Sequence, residues 1–576
     1  MKNILQKTFY SFLLVMFFSS ILYAQPLAGN YTINSLMATG GTNFQSFNDF
    51  ATSINTNGIS ASVVATVEPG SGPYQEQVVF RSIPGTGAGS TVTIEGNGET
   101  ITAATSTTQR HIVRLRECSF FTINNLSVRW DSTSTGGFYG IHLLNTGSDI
   151  TITNCNIDIS GTLSTLYGSI VASGDSASIL ETGDFHRVTI HGNTVTGGGY
   201  GVSVFGLVSN LASDIVISEN TFYDFEDNGI YLRETSGAII RDNHFDKRTN
   251  NVGGTNAIQI AQAANVNANI FNNYITVSQT SNGTQTIRGI YLFNGTGHKV
   301  YNNVIHDIRL TSGNFTGIEV RTGGIAPSIY FNTISIDNSS PTTGNLYGIK
   351  EELTNTNSML RNNMISISQQ TSGTKAGFVL ASNSNVTTAF DSDYNNIYVP
   401  GGNCAMRAST TPTFYTSITD WSVASAQDAN SLSLDPMFVS SANPVPANLA
   451  LDNTGIALAG YTSDVLGNLR SATPDIGAFE FLGVGLKSIS SMQNLVSYPN
   501  PVQDQLTLKL PEGSNSVVQI SVYSVDGKVA LEESQNVNAS MKELQVNTAN
   551  LIQGNYLLKI TVGEKVYYSR FVKAWF

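Results

Sequence analysis

Ten of the 25 residues from Asp224 to Arg248 are Asp, Glu, Lys or Arg, in a chain whose charged share is only 12%. Within that cluster Asp224 and Glu226 are carboxylates two positions apart, and Arg233 follows. A carboxylate pair can serve as acid and base across a glycosidic bond or hold Ca²⁺, and an arginine can balance an acidic sugar. Asp224, Glu226 and Arg233 are therefore the catalytic candidates, and a solvated ion-pair patch accounts for the same residues equally well. A second set is aromatic and polar: Tyr231, Tyr291, Phe293, Glu319 and Arg321 fall at matched places in short strand-like segments. Aromatic faces beside guanidinium and carboxylate groups suit sugar rings, which offer C–H faces and hydroxyls together. The seven histidines and three cysteines show no metal spacing, and Gly85-x-Gly87-x-Gly89 is a turn-rich loop rather than a phosphate cradle. No metal or other cofactor is expected, with Ca²⁺ at the acidic cluster left open.

These side chains are positioned by a repeat. From about residue 90 to 400 an aliphatic residue is followed three places later by Asn, then two places later by another apolar residue. The Asn column is Asn193, Asn220, Asn243, Asn273, Asn303, Asn332, Asn363 and Asn395, at spacings of 27, 23, 30, 30, 29, 31 and 32. Ile190, Ile217, Ile240, Ile270 and Val300 form the column before it, and Val195, Phe222, Phe245, Ile275 and Ile305 the column after. Roughly 14 to 19 residues before each Asn lies a Gly-aliphatic strand, as at Gly201-Val202, Gly229-Ile230, Gly289-Ile290, Gly317-Ile318 and Gly348-Ile349. Both segments alternate apolar and polar residues, so each has an inward and an outward face. A unit of that size cannot bury its own apolar face and must stack on its neighbours.

Stacking predicts an all-β chain: a right-handed parallel β-helix of about 11 coils, strands ~4.8 Å apart, followed by a small antiparallel β-sandwich. Asn at the bend between strands would let side-chain amides bond along the rod. The Gly-Ile and Asn-x-Ile pattern resembles the pectate-lyase-like β-helix superfamily. That resemblance implies a substrate face along the outward side of the Gly-Ile strands, which carries Tyr231, Tyr291 and Glu319 in one column and Arg233, Phe293 and Arg321 in the next. The chain departs from the enzymes of that fold: it has no Asp-Asp pair and no pectate-lyase or pectin-esterase signature. Glu351, at an inward position after Ile349, predicts a bulge or register shift there.

The ends of the chain read differently. Lys2 and Lys7 before an apolar run, with Ala24 ahead of Gln25, mark residues 1–24 as a secretory signal peptide. No later segment is apolar enough to span a membrane. Residues 25–90 are the N-terminal cap region, in which Phe44, Phe47, Phe50 and Ile54 predict a short amphipathic helix ending at Gly58. Residues 91–400 hold the repeats, and 401–486 the C-terminal cap segment. There Asp464, Arg470, Asp475 and Glu480 resemble the closing segment of bacterial surface β-helix proteins, read as a charge-satisfied lock at the end of the rod.

Residues 487–576 hold 8 Lys/Arg and 7 Asp/Glu, in a chain of net charge −12. Their Tyr498-Pro499-Asn500-Pro501, Gly527 and Gly554 motifs resemble the type A sorting domain of the type IX secretion system of Bacteroidetes-type bacteria. The resemblance implies export to the outer surface, removal of the domain and attachment to surface lipopolysaccharide. Net acidity with few cations excludes nucleic-acid binding by phosphate neutralisation. The sequence thus describes a secreted or cell-surface β-helix protein, handled by the type IX machinery, that binds a polysaccharide, surface glycan or extracellular matrix as an adhesin or scaffold. The alternative is a polysaccharide lyase or glycoside hydrolase acting on an acidic polysaccharide.

Overall fold

The computed structural model describes residues 25–574 apart from 161–166, 249–253, 262–264, 279–284, 322–325, 353–356, 382–389, 409–410, 482–492, 511–516, 525–527, 539 and 563–564. Residues 1–24, expected to form the signal peptide, and Gly527 lie outside them. The chain divides between Phe481 and Leu482 into two compact units.

The first unit is a parallel β-helix. The strands after the Asn positions stack into one twelve-stranded sheet among the described residues, and the Gly-Ile and pre-Asn strands join a second sheet of 26 strands. Each coil therefore has three strands, as in Thr286–Phe293, Lys299–Tyr301 and Val304–Ile308. The inward columns are fully buried, Ile240, Ile270, Val300 and Ile329 among them.

Three local features set the coil. The first is the bend before the twelve-stranded sheet. Its left-handed residue is not the ladder Asn but the one preceding it: Glu219, Asp242, Asn272, Asn302, Phe331, Asn362 and Tyr394 have φ between 54° and 57°. None is β-branched, as that conformation demands. The second is the Asn column itself, from Asn193 to Asn395, all buried. Each Oδ1 accepts both the backbone and the side-chain N–H of the Asn one coil earlier, as at Asn273–Asn303 (3.1 and 2.9 Å). Each amide also donates to a carbonyl of the previous coil, Asn303 to Ile270 at 2.9 Å. The third is the glycine corner. A Cβ on Gly201 would lie 2.7 Å from the Phe222 ring and 2.5 Å from the Gly229 carbonyl oxygen, and one on Gly289 2.8 Å from Ile305. Only a residue without a side chain fits without displacing the core.

One coil was not anticipated. Tyr167–Ser173 pairs on both sides in the Gly-Ile stack, Ile170 with Ile141 and Val202. Ser169 occupies its glycine corner, which is why the pattern skips it. The expected bulge at Glu351 is also absent: Glu351 pairs in unbroken register with Val320 and Leu380 and is 3% exposed. Arg407 lies one strand further along the same column, so opposite charges share that stretch of interior and the strand need not shift.

Helix α1 (Phe47–Asn57) closes the N-terminal end. Ser46 caps it by accepting from Asp49 N–H, Gly58 ends it at φ 66°, and Phe47, Phe50 and Ile54 are buried. Phe44 lies in the short strand before it. At the other end stands helix α2 (Ile418–Ser425), with Trp421 wholly buried. The second unit pairs a five-stranded sheet with a three-stranded one, around a core that includes Val502, Leu506, Ile520, Leu558 and Phe571. In it Asn500 binds the last strand twice, accepting from Val572 N–H at 2.8 Å and donating to Arg570 O at 3.1 Å. Tyr498 is exposed and donates its hydroxyl to Glu543, and Gly554 opens the strand Gly554–Val562.

Removing one ladder amide leaves a neighbouring backbone N–H, amide and carbonyl unmatched in the interior. Asn273→Ala and Asn303→Ala should each cost about 1–3 kcal/mol, whereas Asn30→Ala, on the exposed side of the first strand, should leave the melting midpoint nearly unchanged. Equal shifts in thermal or urea melts would contradict the ladder's role.

Candidate ligand-binding face

The outward side of the Gly-Ile strands is in strict register. Ser203, Tyr231, Gln259, Tyr291, Glu319 and Lys350 align coil by coil, and Phe205, Arg233, Ala261, Phe293 and Arg321 form the column beside them. A third outward column runs on the other side of the glycine corner, through Asn228, Asn256, Arg288, Thr316 and Tyr347. The sequence reading left this column out because two inward residues at the corner interrupt the alternation.

Four of the five residues expected to contact glycan come together. Glu319 is fully buried and is held by Arg288 (2.6 Å) and Lys350 (3.5 Å). Lys350 also pairs with Glu352 (2.5 Å), which meets Arg321 (2.7 Å). The Arg288 guanidinium lies 4.6 Å from the Tyr291 ring centre, Arg321 donates to the Tyr291 hydroxyl (3.3 Å), and Arg321 covers Phe293 at 5.7 Å. Burial works against the charge on Glu352, yet the hydrogen bond and charge of Lys350, with Arg321 beyond, hold its carboxyl below the usual range. Burial pushes the Tyr291 phenol up, so it stays neutral. A buried carboxylate costs several kcal/mol unless compensated; here two cations do so, and the network becomes a rigid base. Tyr291 was expected to point freely outward but is only 6% exposed, because the two arginines lie against it.

A pocket of about 320 Å³ opens beside this base, lined by Arg288, Lys350, Tyr347, Asn314, Asn345 and Thr316 among others. The lining holds two cations and no carboxylate. Asn314 accepts from Asn345 N–H and Asn345 from Thr374 N–H, both at 2.8 Å, so the two amides are fixed in place by successive coils.

The catalytic candidates do not converge. Asp224 gives both oxygens to Arg248, accepting its backbone N–H at 2.9 Å and its guanidinium at 2.7 Å, and Arg248 lies 4.0 Å over the Tyr223 ring. Glu226, the second carboxylate of the candidate pair, is 4% exposed. Its charge bears on Lys247, which shares an inward column with Val277 and Ile308. Burial brings the Lys247 ammonium down to about 8, Glu226 and Asp224 opposing that shift. Strand parity turns Lys247 inward, and Glu226 supplies the nearby opposite charge. Arg233 is on the outward face, 5.7 Å from the Phe205 ring and 3.8 Å from Glu234. Tyr231 packs against Phe205 and Tyr200 at 5.2 and 5.7 Å. Nearby Asp227 accepts from the Tyr200 hydroxyl, and burial raises its carboxyl pKa despite that bond. Among the described residues no three His, Cys, Asp or Glu side chains gather as a metal site.

The lock motif is a strap along the flank of the rod rather than an end plug. Residues 436–481 run back over the outer side of the twelve-stranded sheet. Phe479 and Ala478 pack on Val304 and Tyr274, Ile476 and Phe481 on Met364, and Tyr461 on Tyr301 and Tyr330. Arg470 stacks 3.9 Å over Phe331 and donates to Asn302 Oδ1 (2.9 Å), Gly477 O (3.0 Å) and Glu480 (3.2 Å). Asp464 accepts from the N–H groups of Leu466, Asn468 and Glu480. Asp475 accepts from Asn453 and Phe481 N–H. Asp464, Asp475 and Glu480 thus bond within the strap, and Arg470 ties it to the rod through Asn302 and Phe331. The apolar switch from Thr194 and Thr221 to Tyr274, Val304 and Met364 at one outward position was the sequence signal for this cover.

Residues 111–334 match the family of the right-handed beta helix region, and residues 496–574 the secretion system C-terminal sorting domain. No curated protein matches the chain. Among solved structures it is similar to the GH136 lacto-N-biosidase from Eubacterium ramulus, at 10% identity and a TM-score of 0.34 over 56% of this chain and 64% of that one. It is also similar to the enzymatically active domain of bacteriophage CBA120 tailspike protein 2, at 11% identity and a TM-score of 0.26, over 95% of this chain and 77% of that one. The chain spans less than two thirds of the length of the lacto-N-biosidase. Among the described residues no helix is long and apolar enough to cross a membrane.

Burial raises the Asp475 carboxyl to about 7, with Glu480 adding to the shift and the two N–H bonds opposing it. Its ordinary value is about 3.9, so its contribution to stability is fully present below about 4 and is lost as pH rises through about 7. The melting temperature of Asp475→Asn should therefore fall less than that of the wild type between pH 4 and 8. Parallel curves for the two proteins would contradict the buried-acid assignment.

Proposed function

We propose that the right-handed β-helix, which its sorting domain delivers by type IX secretion to the cell surface or the extracellular space, binds anionic glycans on the outward face of its Gly-Ile strands. The observation that carries this reading is the pocket walled by Arg288 and Lys350 without a carboxylate of its own, in a chain of net charge −12. Tyr347 offers a ring face for sugar C–H groups, and Asn314, Asn345 and Thr316 offer hydroxyl partners. The Glu319 and Glu352 carboxylates hold the cations in place from behind. An uronic acid or sulfated sugar would take its charge to Arg288 and Lys350 and its ring to Tyr347.

Binding, as an adhesin or scaffold, is favoured over hydrolysis. Retaining and inverting hydrolysis both need two carboxyl groups facing one bond, and Asp224 is committed to Arg248 while Glu226 is buried beside Lys247. Calorimetric titration with oligogalacturonate, alginate and sulfated oligosaccharides tests the reading. An acidic glycan should bind, and Lys350→Gln or Tyr347→Ala should weaken it at least tenfold, ~1.4 kcal/mol. Raising salt should weaken it further. Absence of binding, or wild-type affinity in both variants, removes this face as the site. Export is testable separately: deletion of 487–576 should leave a folded rod in the periplasm, and surface-exposed truncated protein would contradict the sorting assignment.

A further inference from the structure

A second pocket lies on a different side of the rod, against the outer face of the twelve-stranded sheet near its N-terminal end. There Gln75, Thr102 and Arg129 align in one outward column of successive coils. Among the described residues the strap's apolar contacts with this sheet begin at Tyr274, so the first coils keep their outer face. The cavity measures about 570 Å³, and Trp130, Arg129, Gln75, Thr102, Glu99 and Asp131 all line it.

Its chemistry differs from that of the pocket at Arg288. Trp130 is half-buried and rests on the core with one side. Its indole N–H is shielded from solvent and finds no acceptor among the described residues. Glu99 is fixed by accepting from Gly70 and Gly72 N–H at 2.6 and 2.8 Å, and Asp131 by accepting from Thr133 N–H at 2.8 Å. Asp158, next to Arg129 in the column, accepts from Ser160 N–H instead of pairing with it. One cation against two carboxylates disfavours an anionic ligand. An indole ring beside fixed acceptors and amide, hydroxyl and guanidinium donors suits a ring of hydroxyls with apolar C–H faces.

We propose that this pocket is a binding site for an uncharged saccharide, one pyranose resting on Trp130 with its hydroxyls shared among Arg129, Gln75, Thr102 and the two carboxylates. The site is independent of the acidic-glycan reading and can stand if that fails.

The experiment titrates the full chain with neutral hexasaccharides (cello-, laminari-, manno- and malto-) and with oligogalacturonate, reading intrinsic tryptophan fluorescence and calorimetric heat. The chain has three tryptophans, Trp130, Trp421 and Trp575, and Trp421 is fully buried, so a ligand at this pocket should shift the Trp130 emission. A neutral hexasaccharide should bind saturably. Arg129→Ala and Gln75→Ala, which disturb no bond in the core, should weaken it at least tenfold with unchanged melting temperature. Lys350→Gln should leave neutral binding at the wild-type value and affect oligogalacturonate alone. The proposal is overturned if no neutral hexasaccharide binds, if Arg129→Ala and Gln75→Ala bind as the wild type does, or if Lys350→Gln abolishes neutral binding.

Discussion

A row of buried amides is the constraint on which the remainder of the rod depends. A parallel β-helix turns sharply once per coil, and at that turn backbone groups face inward, away from water. From Asn193 to Asn395 one side-chain amide per coil takes up those groups and passes a bond to the next coil. Every amide points the same way, oxygen toward the N-terminal end and NH₂ toward the C-terminal end. The row therefore ends on an uncompensated donor unless an acceptor stands there. Asp428 does: it accepts from Asn395 at 3.2 Å, Ser392 and Ser431 at 2.8 and 2.7 Å, and the Trp421 indole at 2.8 Å. The turn that follows the closing helix thus terminates the polar ladder, with Trp421 of the helix held on the same carboxylate. At the start, Asn193 Oδ1 receives Cys155 N–H at 2.8 Å, and the ladder gives way to a thiol that donates to the Thr153 carbonyl at 3.3 Å.

Because the ladder, the left-handed residue and the glycine corner hold each coil from within, the outward columns are released from any structural duty. They can change character from coil to coil, and they do. On the Gly-Ile side an aromatic stretch around Tyr200 and Tyr231 is followed by the Glu319–Lys350–Glu352 network. On the twelve-stranded side a hydroxyl-rich surface gives way to Tyr274, Val304 and Met364, where the strap lies. The same inner geometry thereby supports a ligand pocket, an intramolecular docking surface and plain solvated sheet at different heights.

What the sequence made legible follows that division. The inward columns repeat because stacking forces them to, so Asn273, Ile240 and Gly289 could be assigned from spacing alone. The coil around Ile170 escaped because Ser169 satisfies the corner imperfectly, with a buried hydroxyl that has no partner among the described residues. Outward residues obey no such rule, and their column could be read while their contacts could not. Tyr291 and Glu319 were placed on the correct face, but Arg288, in a column hidden behind the glycine corner, is what closes over both. Asp224 and Glu226 lie two positions apart in sequence and were grouped by charge. Whether a loop carboxylate meets solvent, an arginine or a buried lysine depends on where Arg248 and Lys247 return one strand later, and composition carries no information about that.

Charge on this molecule works locally. A net charge of −12 repels an acidic polymer at a distance, but at physiological ionic strength that repulsion is screened beyond ~8 Å. Within that range an acidic ligand would meet only the pocket wall. Holding Arg288 and Lys350 on buried or half-buried carboxylates fixes their side chains before any ligand arrives, so little rotamer entropy is left to lose on binding. It also removes most of their net field. Such a site would be selective for geometry more than for charge, and the acidity of the surrounding rod discourages unspecific association with other polyanions. An acidic chain can therefore carry a cation-lined pocket without becoming a general anion binder, because its cations are positioned by Glu319 and Glu352, which stand outside the pocket lining.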